Sequence, residues 1–403
     1  MNQILDGIKV LDLSQFLSGP RCTEMLADFG AEVVKLEPPV GEGMRWLMAP
    51  VPGLDRSMSN WNRSKKGITL EIRHPKGKEI LLKLARHFDV LVENLAPGTL
   101  EKLGLGYEDL ARIHPGLIFC SITGFGRTGP NSERVAFDII AQATSGILWS
   151  LGIPDRVHSV FIGDLVSGAY AAYAVLLALM ARQRSGQGQL IDVSMQDVLY
   201  FHNYRALQLR SVAEVEESLH EAVGGTFDDF FSGDKTKSVP FWSIYQATDG
   251  NIAVVFLTDA QWKKVCRIIG KPELADDARF ANVILRTKNR EEYRQDIIDW
   301  MSRQKLEEIE RILVENRIPC GRVAKTEEVN QDPHLEARGM TSWCQDPVYG
   351  KVPTPGIPIK LSQSPGEIKR SAPRLGEHNL EVYGQYLGLT EKDLAEMKKE
   401  GVI

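Results

Sequence analysis

Along its first third the chain alternates between short apolar runs and longer stretches with apolar residues at helical spacing. Ile8–Leu13, Glu32–Leu36, Ile68–Ile72, Val90–Glu93 and Leu117–Ile122 have strand length and strand character. Between them, Pro20–Phe29 and Gly77–His87 read as helices, the second through Ile80, Leu81, Leu84 and Phe88. Pro20 stands where a first helical turn tolerates proline, and Gly30 stands where a helix stops. This alternation predicts an α/β fold with a parallel sheet covered by helices on both faces. In such a sheet a ligand lies outside the carboxyl ends of the strands.

The pattern then changes. A β-like run, Val160–Ile162, meets Gly163 and Asp164, and the 17 residues Leu165–Ala181 carry no charge. That segment predicts a helix apolar on all sides, and so one inside the protein. Gly168, Ala169, Ala171 and Ala172 near its start leave room for another backbone or a ligand. Met195–Leu209 reads as a helix, and 210–235 is polar and loop-like. Phe241–Gln246 and Asn251–Phe256 flank Asp249-Gly250, a hairpin signal. Helical stretches follow at Asp259–Ile269, Arg290–Trp300 and Lys305–Asn316, which makes a small α+β unit inserted in the chain. The tail from about 340 is proline-rich and leads to a last helix, Leu380–Leu387.

Charge adds little at long range: 403 residues carry a net −5, which gives no pull toward nucleic acid or an anionic membrane. Cys22, Cys120, Cys266, Cys320 and Cys344 show neither a CxxC pair nor a Cys/His ligand spacing, so no metal site is expected. The first residues show no secretory pattern, and Leu165–Ala181 is at the short edge for a membrane span. A cytoplasmic protein is expected.

Asp164 is the leading chemical candidate and has two readings. It is either a helix N-cap or a partly desolvated carboxylate held for covalent chemistry. Gly124-Phe-Gly-Arg-Thr-Gly129 matches a dinucleotide fingerprint, but Pro130 follows at once and the first βα turn lacks the pattern. A turn close to a ligand or a neighbouring backbone suits it better. Arg63, Lys65, Lys66, Arg73, Lys102 and Arg134 fall near strand ends, where they could hold phosphates or form a solvated charged face.

Taken together, Val10-Leu-Asp-Leu-Ser, Ser18-Gly-Pro, Leu26-Ala-Asp-Phe-Gly-Ala-Glu-Val-Val-Lys-Leu-Glu-Pro-Pro, Lys65-Lys-Gly-Ile-Thr-Leu-Glu-Ile, Asp89-Val-Leu-Val-Glu-Asn-Leu, Gly104-Leu-Gly-Tyr-Glu, Gly163-Asp164, Gln187-Gly-Gln-Leu-Ile-Asp-Val-Ser-Met and Ala372-Pro-Arg-Leu-Gly-Glu-His-Asn379 resemble the family III CoA-transferases. This is the group of carnitine and formyl-CoA transferases, with the α-methylacyl-CoA racemases as relatives. The match spans nearly the whole chain in one order and is weakest over 210–330. The resemblance implies a Rossmann-like large domain from both chain ends (1–209 and 331–403), a small α+β domain with linkers (210–330), and an interlocked dimer. It implies Asp164 as the nucleophile that forms an aspartyl-CoA thioester. Leu70, Arg73, Asn94, Leu95, Lys102 and Arg134 become coenzyme A contacts. Acyl-CoA and a carboxylic acid are then substrates, and no cofactor is permanently bound. The partner chain is a second copy, or a paralogue if this chain is a non-catalytic subunit.

Several residues depart from the family pattern. Pro38 replaces a phosphate-binding arginine, for which Arg45 is the candidate substitute. Leu17 replaces a glutamine of the formyl-CoA transferase pocket, and Gly224-Gly225 is a poor copy of its glycine loop. Small polar acids therefore fit less well than acids held by an apolar pocket of Leu17, Phe16, Trp46, Phe137 and Trp149. The racemase alternative needs a histidine where Phe137 stands, and His158 is the nearest replacement in sequence. Backbone N–H groups at the start of the helix after Asp164 are expected to hold developing oxyanions.

Overall fold

The computed structural model describes residues 3–51, 53–212, 216–224 and 238–403. The chain divides into two compact units, Met1–Tyr204 with Pro333–Ile403, and Arg205–Asp332.

The larger unit is built on six parallel strands: β1 (Lys9–Asp12), β2 (Glu32–Glu37), β3 (Lys66–Thr69), β4 (Val90–Glu93), β5 (Ile118–Thr123) and β6 (Leu190–Ser194). Their spatial order is β3-β2-β1-β4-β5-β6. The order reverses between β1 and β4, and loops leaving those two strands diverge to opposite sides, which opens a crevice at their carboxyl ends. Helices α1 (Ser18–Ala27), α2 (Pro75–Ala85), α3 (Asp138–Thr144), α4 (Ile162–Ser185) and α5 (Met195–His202) follow strands or link them. The strands β4 and β5 are buried on both faces, as a sheet covered on both sides requires. One apolar core, through Leu81, Leu84, Leu91 and Phe119, lies on the α2 side. The other, through Val10, Val92, Ala171 and Val175, lies on the α1 and α4 side.

The smaller unit carries an antiparallel sheet of β7 (Trp242–Gln246), β8 (Asn251–Val255) and β9 (Cys320–Arg322). Helices α6 (Asp259–Ile268), α7 (Glu291–Ser302) and α8 (Leu306–Glu315) surround a core of Phe256, Trp262, Phe280 and Tyr293.

Three differences from the sequence reading have local causes. First, α4 begins at Ile162, so Val160–Ile162 is no strand, and Asp164 is the third residue of the helix rather than its cap. The Asp138 carboxylate on α3 accepts the Asp164 N–H at 3.1 Å and does the capping from a distance in sequence. Second, α4 is buried on one face only: Tyr173, Leu177 and Met180 are 59%, 47% and 56% exposed. Third, the stretch read as one helix over Met195–Leu209 breaks at Asn203 into Met195–His202 and Tyr204–Val212, Glu216–Val223 within the region read as loop is helical, and Gly225 lies outside the described residues. The tail adds an unforeseen hairpin, β10 (Thr341–Asp346) with β11 (Gly350–Pro355). It continues through α9 (Asn379–Leu387) to an unforeseen last helix, α10 (Glu391–Lys399).

The Ala372–Asn379 motif has a structural task. His378 Nδ1 accepts the Gly67 N–H at 3.1 Å, and Asn379 Oδ1 accepts the Thr69 N–H at 2.9 Å. These bonds occupy the open edge of β3, which would otherwise present unpaired donors. Gly67 has no side chain because a Cβ there would stand 2.9 Å from that of Pro373.

Candidate active site

Asp164 borders a cavity of 450 Å³ that opens at the carboxyl ends of the strands. Three elements bring it there. The loop after β1 supplies Gln15 and Phe16, and the start of α1 supplies Ser18; the loop after β4 supplies Asn94 and Leu95; and the segment before α3 supplies Arg134 and Phe137. Glycines allow the approach. A Cβ on Gly168 would lie 2.4 Å from the Ser18 carbonyl oxygen, so only glycine lets α4 rest on the start of α1. A Cβ on Gly163 would lie 2.9 Å from Asp138 Oδ1, which explains the Gly-Asp pair: the glycine leaves space for the carboxylate that caps α4.

The Asp164 carboxyl group is pushed up to about 7 from its usual 3.8. Burial is the main cause, the Asp138 charge adds to it, and a hydrogen bond from Ser18 opposes both. Ser18 is itself oriented by Asn94, whose Nδ2 donates to Ser18 Oγ at 3.0 Å. The same Asn94 amide holds both backbone groups of Gln15, accepting from its N–H at 2.7 Å and donating to its C=O at 2.8 Å. Gln142 Nε2 donates to Asp138 at 2.5 Å. Near neutral pH the site thus holds a carboxylate that is both unusually basic and positioned.

Of the residues singled out from the sequence, Arg73, Asn94, Leu95, Arg134 and Asp164 line this cavity. Lys102 lines a neighbouring one of 340 Å³, which shares Leu95. Leu70 lines neither; it is 1% exposed in the apolar core, and its N–H already donates to Glu37 O at 2.8 Å. Arg134 is exposed and lies over the Phe125 ring with its guanidinium carbon 4.9 Å from the centroid.

Other expectations change. Arg63, Lys65 and Lys66 neither face a phosphate nor form a solvated face. Arg63 pairs with Glu24 and Asp28, Lys65 with Asp12, and Lys66 with Glu32 and Glu381. Arg45, the candidate substitute for the arginine lost at Pro38, is engaged by Glu37 through Nε and Nη2 at 2.6 and 2.7 Å, and its Nη2 also donates to Pro373 O at 2.9 Å. The first-turn N–H groups of Ile162, Asp164 and Leu165 are already bonded to Val160 O, Asp138 and Phe161 O. Leu17 packs with Met44, Met48 and Met58, while Trp46 and Trp149 are exposed and line neither cavity. Phe16 and Phe137 alone of that set border the cavity, edge to face at 5.4 Å. His158 is not among the cavity residues. Gln142 escaped the sequence reading, and so did the action of Ser18 and Asp138 on Asp164, since none belongs to a recognisable spacing with Asp164. Among the described residues no group of His, Cys, Asp and Glu could hold a metal ion.

A reversing parallel sheet with a buried, raised carboxyl at its crevice is a candidate active site of an α/β protein. The model of CoA-transferase family III matches residues 5–379, and the chain belongs to that family. It is 36% identical to succinyl-CoA–D-citramalate CoA-transferase of Chloroflexus aurantiacus over 99% of this chain and 98% of the relative. It is 35% identical to formyl-CoA:oxalate CoA-transferase of Streptomyces avermitilis, with 100% of both chains covered. The crystal structure of a CAIB/BAIF family protein from Brucella suis superposes with a TM-score of 0.76 at 30% identity, covering 96% of this chain and 100% of that one.

Proposed function

We propose that the protein moves coenzyme A from an acyl-CoA thioester to a carboxylic acid through an aspartyl-CoA thioester at Asp164. The observation that carries this reading is the raised, cavity-facing carboxyl of Asp164 with Arg73 and Arg134 on the same cavity. The Asp164 carboxylate attacks the thioester carbonyl, which forms a mixed anhydride and releases CoA thiolate. The thiolate attacks the aspartyl carbonyl; the donor acid leaves as carboxylate and aspartyl-CoA remains. An acceptor carboxylate then attacks the aspartyl thioester, giving a new anhydride and CoA thiolate. Attack of that thiolate on the acceptor's acyl carbon returns Asp164 and a new acyl-CoA. Raised basicity strengthens the nucleophile. The walls provided by Phe16 and Phe137 limit water at the anhydride and favour apolar, aromatic or branched acids over small dianions.

Phosphates of coenzyme A are assigned to Arg73, Lys102 and Arg134, with Asn94 and Leu95 beside the thioester arm. Charge-assisted hydrogen bonds contribute about 1.5–3 kcal/mol each, so Arg73→Ala or Lys102→Ala is expected to raise KM for acyl-CoA about tenfold or more. Steady-state kinetics check this, and unchanged KM in both variants returns them to the solvated surface. A second copy of the chain is assigned to the exposed stripe Tyr173, Leu177 and Met180, which recurs at helical spacing on α4. The interlocked dimer, working in the cytoplasm, is the arrangement this reading adopts.

The test uses the purified protein in deuterated water with a panel of acyl-CoA donors and free acids, followed by mass spectrometry. CoA is expected on the new acid while the donor's α-hydrogen stays in place. Phe137 cannot carry a proton, and no histidine lines the cavity among the described residues. Rapid α-deuterium uptake without an acceptor acid would overturn the transferase reading in favour of a racemase.

A further inference from the structure

The loop that carries Phe16 is held in an unusual backbone conformation by a buried carboxylate that lines no part of the cavity. Phe16 has φ +59°, the left-handed region that a bulky residue rarely enters. Its N–H donates to Glu42 Oε2 at 2.7 Å. Glu42 is fully buried and ion-paired through Oε1 with Lys35 Nζ at 3.0 Å. Lys35 also donates to Ser14 O at 2.9 Å, two residues before Phe16. The Glu42 N–H donates to Glu37 Oε2 at 3.1 Å. Gly43 completes the seat: a Cβ there would come within 2.6 Å of Phe16 Cζ, so the ring rests on bare backbone. From this seat the Phe16 ring meets Phe137 edge to face. Phe16 lies two residues before Ser18, and Phe137 one residue before Asp138. Ser18 and Asp138 are the two groups that act directly on Asp164. The aromatic pair and Asp164 border the same cavity.

We propose that Glu42 is a positioning residue for the acyl chamber: it holds Phe16 in the left-handed conformation that makes its ring one wall beside Asp164. Glu42 acts through Phe16 and not on substrate. This rests on the reading of Asp164 as the acyl-accepting nucleophile. A glutamine at 42 keeps an oxygen for the Phe16 N–H, whereas alanine removes it. A glycine at 16 enters the left-handed region freely and has no ring to place.

The experiment follows exchange of isotopically labelled CoA into succinyl-CoA, isovaleryl-CoA and phenylacetyl-CoA. In parallel, the fluorine resonance of 4-fluorophenylalanine placed at position 16 is recorded without substrate. Glu42→Ala is expected to lower the exchange kcat about tenfold or more with KM for acyl-CoA changed by less than about twofold, the loss of one hydrogen bond to a charged group. Glu42→Gln should restore most of the rate. In a Phe16→Gly background, Glu42→Ala should add less than about a twofold loss, because nothing remains to be held. The fluorine signal should shift or broaden in Glu42→Ala and stay near its original position in Glu42→Gln. If an unpaired Lys35 prevents folding of Glu42→Ala, the same comparison is made with Lys35→Met in every protein. Independent losses from Glu42→Ala in both backgrounds, or an unchanged fluorine signal, would overturn the proposal. Absence of exchange with every donor in the unaltered protein would count against the transferase reading, and the fluorine signal would still decide the role of Glu42.

Discussion

Asp164→Asn is expected to leave a folded protein that has lost CoA transfer by about 10⁴-fold or more, as removal of a nucleophile does. The unaltered protein, incubated with acyl-CoA and hydroxylamine, should carry a hydroxamate at Asp164 and lose activity; the variant should not be modified. The pH dependence follows from the raised carboxyl. Below pH 3.8 the group is protonated in folded and unfolded chains alike and contributes nothing. Between 3.8 and about 7 the unfolded chain releases the proton while the folded protein keeps it, so the folded state loses stability as pH rises. That cost is fully present above about 7. Asn does not ionise, so Asp164→Asn should match the unaltered protein near pH 4 and exceed it by about 2–4 kcal/mol at pH 8. The same titration should give transfer activity a limb that rises toward neutral pH. Denaturant unfolding at the two pH values checks the stability claim. Near-normal transfer by the folded variant would remove Asp164 from the mechanism.

The second large effect concerns charges that never meet substrate. Lys65 is fully buried and donates to Asp12 at 2.9 Å, to Pro20 O at 3.0 Å and to Asn62 Oδ1 at 2.8 Å. Burial alone would raise the Asp12 carboxyl. The charges of Lys65 and Lys35, with hydrogen bonds from Ser14 and Thr23, override it and hold the group at about 2. Asp12 thus contributes stability above pH 3.8 that is lost as pH falls through about 2. Lys65→Met leaves Asp12 buried without the cation that bonds it and should cost about 3–5 kcal/mol at pH 7. Asp12→Asn combined with Lys65→Met should recover part of that loss, because the uncompensated charge is gone. A loss below about 1 kcal/mol in Lys65→Met would mean that Lys35 alone compensates Asp12. Since Ser14 and the start of α1 share this network, the cavity loop should loosen along with the fold.

These two residues illustrate how differently one chemical class reads in sequence. Lys65 stands in a run of basic residues that sequence alone leaves open to phosphate binding. Its partner Asp12 is 53 positions away, and the pair exists only because β1 and β3 flank β2 in one sheet, in a register that brings the start of β3 level with the end of β1. Arg45 is similar: its bond to Pro373 O spans 328 positions. Asp164 was legible because its glycine neighbour and the uncharged run after it are local. Its raised basicity was not, since Asp138 and Ser18 come from the starts of two other helices, α3 and α1.

What the sequence by itself determined is the alternation of strand and helix, the insertion of a smaller α+β unit, and the family to which the chain belongs. These follow from short-range periodicity and from motifs kept in order along the chain. Tertiary structure alone decided that α4 is covered on one face, that Asp138 caps it, and which cations are free to meet a substrate. It also decided that Phe16 and Phe137, but not Trp46 or Trp149, border the cavity. The physical reason is common to all four. Periodicity records which side of an element avoids water, whereas charge pairing, capping and cavity lining depend on which distant residues the sheet order brings within a few ångströms.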